Sequence, residues 1–196
     1  MRGFNYKKAV QSLNYFATKS GGSLNKMKAI KLIWLADRLH LRKYGRSITG
    51  DEYYALPNGP VPSATRDILE SSDFLNDIAS EYAEQFLSSN GKYEYKTINE
   101  INENVFSQTD IEILETIFTN YGELDQFQLR DLSHLFPEWG KYKSALDQKL
   151  SSRFPINPID FFINYQDGYS LFIDNNEDID ITKQLFTESL NISAIL

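Results

Sequence analysis

The spacing of apolar and polar residues predicts a chain built mainly from amphipathic helices. Residues 4–19 and 23–44 both carry apolar side chains at every third or fourth position, which is the repeat of one helix face. Ser23 is a favourable N-cap for the second helix, and Gly45 stands where a glycine commonly ends one. Apolar residues around Trp34 cover several sides of this helix, so we expect it to be the central and most buried element.

The rest of the chain predicts more helices and a little strand. Helical spacing recurs in residues 64–71, 74–88, 107–121, 125–136, 138–150, 159–165 and 182–190. Residues 51–56 and 92–98 instead predict short strands, and Asn90-Gly91 is a natural turn before the second. We expect these two strands to pair, and we expect a further strand or extended piece at 169–173. The predicted fold class is mainly α: a compact helical domain with a small two- or three-stranded antiparallel β element.

A change of composition divides the chain near residue 154. The segment Phe154-Pro155-Ile156-Asn157-Pro158 interrupts the helical pattern, and the sequence beyond it is rich in aromatic and acidic residues. We therefore predict a helical domain at 1–153 and a C-terminal extension or small subdomain, 154–196, packed on it.

Composition narrows the class of protein. The 196 residues contain no cysteine, which excludes disulfides, thiol nucleophiles and cysteine-based zinc sites. No apolar run approaches the roughly 18–20 residues of a membrane span, and the N-terminus shows no secretory pattern. We expect a cytoplasmic protein without a metal, a cofactor or a membrane partner.

Charge is unevenly distributed along the chain. The net charge is −7, yet residues 1–50 hold eleven Lys or Arg and one acid. This asymmetry predicts either a basic surface for an acidic partner or ordinary solvated helix faces. Six residues could hold phosphates without sequence preference: Lys26, Lys28, Lys31, Arg42, Lys43 and Arg46. No helix-turn-helix reading helix is recognisable, so no sequence-specific DNA-binding module is predicted.

The candidate chemistry lies on the central helix. Asp37 stands inside its apolar run, and an unpaired buried carboxylate is costly. On a helix Asp37 and His40 share a face, which allows either a proton-transfer pair or a structural ion pair that fixes how the helix meets the Pro-Gly-Pro loop. We favour the structural role. His134 follows Ser133, but adjacent side chains point apart, so a packing or helix-end role is expected for His134.

Two motifs resemble one known family. The stretch KLIWLADRLHLRKYGRSITGDEYYALPNGPVPS, residues 31–63, resembles the hallmark of the Panacea domain, also described as the SocA-like or phage-associated domain. FSQTDIEILETIFTNYG and LRDLSHLFPEW, later in the chain, resemble its second hallmark. The resemblance covers roughly residues 5–143. It marks five residues as structural: Trp34, Gly50, Pro62, His134 and Trp139.

The resemblance implies an antitoxin of a bacterial or phage toxin–antitoxin pair. Such domains bind a toxin protein, commonly encoded by an adjacent gene, and block it; one member delivers its toxin to a protease. Some members carry an added DNA-binding domain, and this chain shows none. The residues expected to contact the toxin are Asp37, Arg38, His40, Arg42, Lys43, Tyr53, Gly59 and Pro60. The alternative for each is that it only fixes the fold.

Two other functions stay open on the sequence alone. The chain could be a phage- or prophage-encoded host-interaction protein or a protease adaptor without a toxin partner. It could also be a small enzyme that uses Asp37 and His40, although hydrolase, P-loop and dinucleotide motifs are absent.

Overall fold

One helix, Lys26–Tyr44, runs through the middle of the structure and contacts five other helices, two strands and a 3-10 turn. The structure is a computed structural model that describes residues 3–165 and 170–193. Every residue of this helix from Ala29 to Arg42 is buried. The sequence prediction of a central buried helix is therefore confirmed.

The described residues form nine α-helices and six strands. The helices are α1 (Tyr6–Lys19), α2 (Lys26–Tyr44), α3 (Ser63–Glu70), α4 (Asp77–Glu84), α5 (Gln108–Tyr121), α6 (Gln126–Ser133), α7 (Pro137–Gly140), α8 (Lys143–Asp147) and α9 (Asn176–Ser193). The strands are β1 (Ser23–Asn25), β2 (Tyr53–Leu56), β3 (Gly59–Pro62), β4 (Leu87–Asn90), β5 (Glu94–Thr97) and β6 (Phe154–Ile156). Short 3-10 turns occur at Glu103–Val105, Pro158–Phe162 and Ser170–Phe172. The predicted fold class, mainly α with a small antiparallel β element, is confirmed.

The start of α2 differs from the prediction. Asn25, not Ser23, is the N-cap, and its side chain accepts from the N–H groups of Met27 and Lys28 at 3.0 and 3.2 Å. Ser23 lies in β1 instead, because β5 supplies that segment with a strand partner. The predicted end at Gly45 is correct, since Gly45 takes a left-handed conformation with φ 66°.

Two separate three-stranded antiparallel sheets replace the single pair of strands that the sequence predicted. One has the order β1-β5-β4, and the other has the order β3-β2-β6. Pairing of residues 51–56 with 92–98 is therefore wrong: β2 is flanked by β3 and β6, whereas β5 is flanked by β1 and β4. The predicted helix 74–88 is shorter than expected, because its last residues form β4 against β5.

The C-terminal segment packs on the same core as the rest of the chain. Strand β6 pairs with β2, and Phe161, Phe162 and Phe172 are buried. Helix α9 contacts α2 and buries Phe186 against Phe162, with ring centroids 5.7 Å apart. Helix α9 begins at Asn176, earlier than predicted, and the expected extended piece at 169–173 is in its described part a 3-10 turn; residue 169 lies outside the described residues.

Candidate functional site

Helix α2 carries five charged or ionisable side chains that are buried. They are Lys31, Asp37, Arg38, His40 and Arg42, and none is more than 2% exposed. A buried charge is tolerated only where hydrogen bonds or an opposite charge compensate its lost hydration. The five side chains bind loops, helices and the C-terminal segment, and Arg38 and Arg42 share the Ile163 carbonyl.

Asp37 holds the loop between α2 and β2. Its Oδ1 accepts from the N–H groups of Ile48 and Thr49 at 2.7 and 2.9 Å, and its Oδ2 accepts from the Tyr53 hydroxyl at 2.9 Å. Burial raises the pKa of Asp37, and the hydrogen bonds from Thr49 and Tyr53 oppose that rise. The favoured structural role agrees with this geometry, although Asp37 fixes the 48–53 segment rather than the Pro-Gly-Pro loop.

A second buried carboxylate, Asp51, caps α3 from a distance. The N-cap position of α3 holds Pro62, which makes no side-chain cap bond. Asp51 instead accepts from the N–H groups of Ala64 and Thr65 at 2.9 and 2.7 Å. Burial raises the pKa of Asp51 to about 6, and the hydrogen bonds from Thr65 and Ala64 limit that rise because they stabilise the charged carboxylate.

Arg38 joins α2 to α7 and to the C-terminal segment. Its Nε donates to Glu138 Oε1 at 2.7 Å, and its Nη2 donates to the Ile163 carbonyl at 2.9 Å. Both members of the ion pair are fully buried. The guanidinium also lies over the rings of Phe136 and Phe172, 4.6 and 5.0 Å from their centroids.

His40 connects α2 to the first turn of α5. Its Nδ1 donates to the Arg46 carbonyl at 2.7 Å, and its Nε2 lies 3.1 Å from Asp110 Oδ1 and 3.1 Å from Thr109 Oγ1. Lys8 on α1 also bonds Asp110. Burial alone would raise the pKa of Asp110, but the hydrogen bonds from His40 and Lys8 hold it well below its ordinary value.

Arg42 binds the C-terminal segment. Its guanidinium donates to the carbonyls of Phe161 and Ile163 at 2.8 and 3.1 Å and to the Asn164 side chain, and it pairs with Asp174 at 2.6 Å. Burial lowers the pKa of Arg42 to about 10, and a second arginine nearby adds to that effect.

Lys31 binds the β2–β3 hairpin at its Gly-Pro-Val-Pro strand. Its Nζ donates to the Pro60 carbonyl at 2.8 Å, and burial lowers its pKa to about 7. Gly59 has φ +98°, and a Cβ built on it would lie 2.3 Å from Ser133 Oγ and 2.6 Å from Lys31 Nζ. Only glycine therefore fits at this position of the hairpin.

The residues expected to be structural lie in the packed interior or at turns. His134 is the C-cap residue of α6, and its ring stacks on that of Trp139 with the centroids 3.8 Å apart. Trp139 Nε1 donates to the Leu56 carbonyl at 2.8 Å. Trp34 is fully buried. Gly50 takes φ 68°, and Pro62 ends β3 where α3 begins.

Seven of the eight predicted toxin contacts are buried: Asp37, Arg38, His40, Arg42, Tyr53, Gly59 and Pro60. Lys43 is exposed. Asp37 and His40 each bond other residues, so the structure does not bring them together as the proton-transfer pair that an enzyme would need. Of the predicted phosphate ligands, Lys31 is buried and Lys28 donates to the Gly122 carbonyl at 2.5 Å.

Sequence reasoning missed the partners of the α2 residues. Asp110 contacts His40 and Glu138 pairs with Arg38, and both are buried acids. Asp110 also closes the capping box of α5 with Ser107. Glu138 follows a proline at the start of a short helix, and no local pattern distinguishes it from an exposed acid.

Sequence reasoning also missed an exposed apolar surface next to α4. Phe74 is 93% exposed and Ile78 is 67% exposed.

Among the described residues, no group of three or more His, Asp or Glu side chains is placed to hold a metal ion. No described helix is long and apolar enough to cross a membrane.

The comparisons with known proteins agree with the resemblance found in the sequence. The family described as antitoxin SocA-like, Panacea domain, matches residues 30–140, which is more than half of the chain. No curated protein and no solved structure matches this chain. The matched range contains every buried polar residue of α2, the hairpin that Lys31 supports and the acids Asp51, Asp110 and Glu138. The chain therefore belongs to the antitoxin SocA-like, Panacea domain family.

Proposed function

We propose that this chain is an antitoxin that neutralises a protein toxin by binding it directly. The observation that carries the proposal is the family match over residues 30–140, since the family is described as an antitoxin domain. The match includes all five buried ionisable residues of α2, whereas the C-terminal partners of Arg38 and Arg42 lie beyond it.

The buried residues of α2 support a scaffolding role within this mechanism. His40 contacts the first turn of α5, whereas Arg38 and Arg42 both bind the Ile163 carbonyl, and a rigid, preorganised surface loses less entropy when it meets a partner. We propose that these residues hold the toxin-binding surface in shape rather than touch the toxin. Lys43 remains the predicted contact that can meet a toxin without a change of conformation.

A growth assay tests the function. The gene adjacent to that of this chain is induced alone and together with this chain, and the two proteins are then purified together. We expect toxicity in the first case, relief in the second and a stable complex, because a direct antitoxin must occupy its toxin.

Two results would contradict this mechanism. Toxicity that this chain fails to relieve would remove the antitoxin role. Relief accompanied by disappearance of the toxin protein, without a stable complex, would favour a protease adaptor. For a Lys43→Glu variant the matched control is Lys149→Glu, because it makes the same change at another exposed lysine, after α8.

A further inference from the structure

Strand β4 is an edge strand of its sheet, with Leu87 buried and Ser89 exposed. It ends the sheet order β1-β5-β4, and the described chain adds no strand beyond it. Ile98 N–H donates to the Phe86 carbonyl at 2.9 Å. This bond fixes which residues of β4 form hydrogen bonds with β5 and which do not, since the two kinds alternate along an antiparallel pair. Residues 86, 88 and 90 therefore bond towards β5, and the main-chain groups of Leu87 and Ser89 point outwards. Such an edge is a template for another strand.

A cleft opens between this strand and the α3–α4 pair. Its volume is about 130 Å³, and its lining is mixed, with the apolar side chains of Ile68, Leu75 and Leu87 beside polar residues that include Lys26, Glu70 and Glu84. An apolar cavity of about 150 Å³ holds a molecule of the size of benzene, so this cleft has room for one apolar side chain of a partner. Phe74 and Ile78, which are exposed, stand beside Leu75 and Ala79 in the sequence but do not line the cleft.

Acidic side chains are more numerous than basic ones around the cleft, although Lys26 also lines it. Residues 63–85 contain six Asp or Glu and a single basic residue, Arg66, which pairs with Glu70 at 2.8 Å. Asp77, Glu81 and Glu84 on α4 are exposed. A partner that approaches here is favoured if it carries basic side chains, because complementary charge speeds association and excludes partners of like charge.

We propose that β4 and this cleft receive an extended segment of the toxin. The segment adds to the sheet as a fourth strand by bonding the main-chain groups of Leu87 and Ser89, and it inserts one apolar side chain into the cleft. Lys or Arg residues beside that side chain face Glu81 and Glu84. This is the strand-addition mode of peptide recognition, in which main-chain bonds give affinity and a pocket gives specificity. The inference rests on the proposed function, because it names the surface that the toxin meets.

Two pairs of variants test the surface. Ser89→Pro removes the outward N–H of an exposed edge residue and leaves the β4–β5 bonds in place, and Ser89→Thr is its matched control. Glu81→Lys with Glu84→Lys reverses the charge beside the cleft, and Glu112→Lys with Glu115→Lys makes the same change on exposed positions of α5. Thermal unfolding of each variant establishes that it is folded.

The measurement is the Kd between each variant and the purified product of the neighbouring gene. We expect the Ser89→Pro and α4 variants to bind about tenfold or more weakly, and the two controls to bind like the wild type. In the wild-type complex, hydrogen exchange at the Leu87 and Ser89 amides is expected to slow.

The outcomes separate this inference from the proposed function. A wild-type complex in which these amides stay unprotected and both test variants bind normally overturns the inference alone. If Lys43→Glu binds more weakly while the β4 and α4 variants bind normally, the toxin binds at the C-terminal end of α2, and this result also overturns the inference. If no complex forms and no toxicity is relieved, the proposed function and this inference both fail.

Discussion

Lys31 is the clearest case of a single residue whose environment changes its chemistry. It is 1% exposed, and its Nζ meets the Pro60 carbonyl beside a glycine that leaves no room for a side chain. Burial disfavours the charged ammonium, which lowers the pKa of Lys31 from 10.5 to about 7. In the unfolded chain the same group keeps its ordinary pKa. Between about pH 7 and pH 10.5 the unfolded state therefore binds more protons than the folded state.

This difference predicts a dependence of stability on pH. Stability rises with pH where the unfolded state binds more protons, so the contribution of Lys31 is smallest below pH 7 and grows above it. The gain is at most about 1.4 kcal/mol per pH unit. We expect Lys31→Met to remove this rise, so that the free energy of unfolding of the wild type climbs relative to the variant between pH 7 and 9.

Urea unfolding of both proteins at pH 6, 7, 8 and 9 measures the difference. Lys149→Met, at an exposed lysine, controls for the loss of a positive charge. Parallel stability curves for the wild type and Lys31→Met would show that Lys31 keeps its charge in the folded state.

At the scale of elements, the sequence predicted helices better than strands, and the reason is physical. The repeat of α2 and the capping box of α5 are local, so a single stretch of residues displays them. Strand β4 forms only because β5 pairs with it, and its residues continue the helical spacing of α4. Strand β6 contains Pro155, which suggested a boundary, yet proline is compatible with an edge strand.

The candidate site was predictable to the same extent. Asp37 was found because it interrupts an apolar helix, whereas Lys31 and Arg42 were expected to be available to phosphates and are buried. The partners of the α2 residues were not found, because Arg38 and Glu138 stand 100 residues apart in the chain, and no period connects them.

The link between α2 and α7 carries a testable prediction. Glu138 neutralises Arg38 where both side chains are fully buried, so Glu138→Ala leaves an uncompensated charge in the interior. We expect a loss of about 3–5 kcal/mol in the free energy of unfolding, measured by urea denaturation. The double change Arg38→Met with Glu138→Leu is expected to recover much of that loss, since apolar residues of similar volume can replace a buried ion pair. Equal stability of Glu138→Ala and the wild type would show that the pair contributes only packing.

At the scale of the whole molecule, the charge asymmetry of the sequence has an internal counterpart. Basic residues of the first fifty pair with acids far along the chain: Lys8 and Arg46 with Asp110, Arg38 with Glu138, and Arg42 with Asp174. Part of the positive N-terminal third is therefore used to join α1 and α2 to later elements. The acidic excess that remains on the surface includes the α3–α4 segment beside the proposed strand-addition site.

The segment beyond residue 153 contributes side chains to the packed core. The family match ends at residue 140, and the sequence suggested an extension or small subdomain beyond 153. The structure buries Phe161, Phe162, Phe172 and Phe186 against the rest of the chain. Each buried Phe contributes about 1.5–3 kcal/mol, so the four together match the roughly 5–15 kcal/mol that stabilise a typical domain. Arg38 and Arg42 would also lose the carbonyls that they bind.

We therefore expect a chain of residues 1–153 to lose its fold rather than to survive as an independent domain. Circular dichroism and urea unfolding of this fragment beside the full chain provide the measurement, and the fragment should show no cooperative transition. A second fragment, residues 1–175, lacks α9 but keeps β6 and the three phenylalanines before it, so it should unfold cooperatively at a lower urea concentration than the full chain. A sharp transition with intact helix content in the 1–153 fragment would instead show that the C-terminal segment is a separable appendage, and that the α2 network holds the remainder without it.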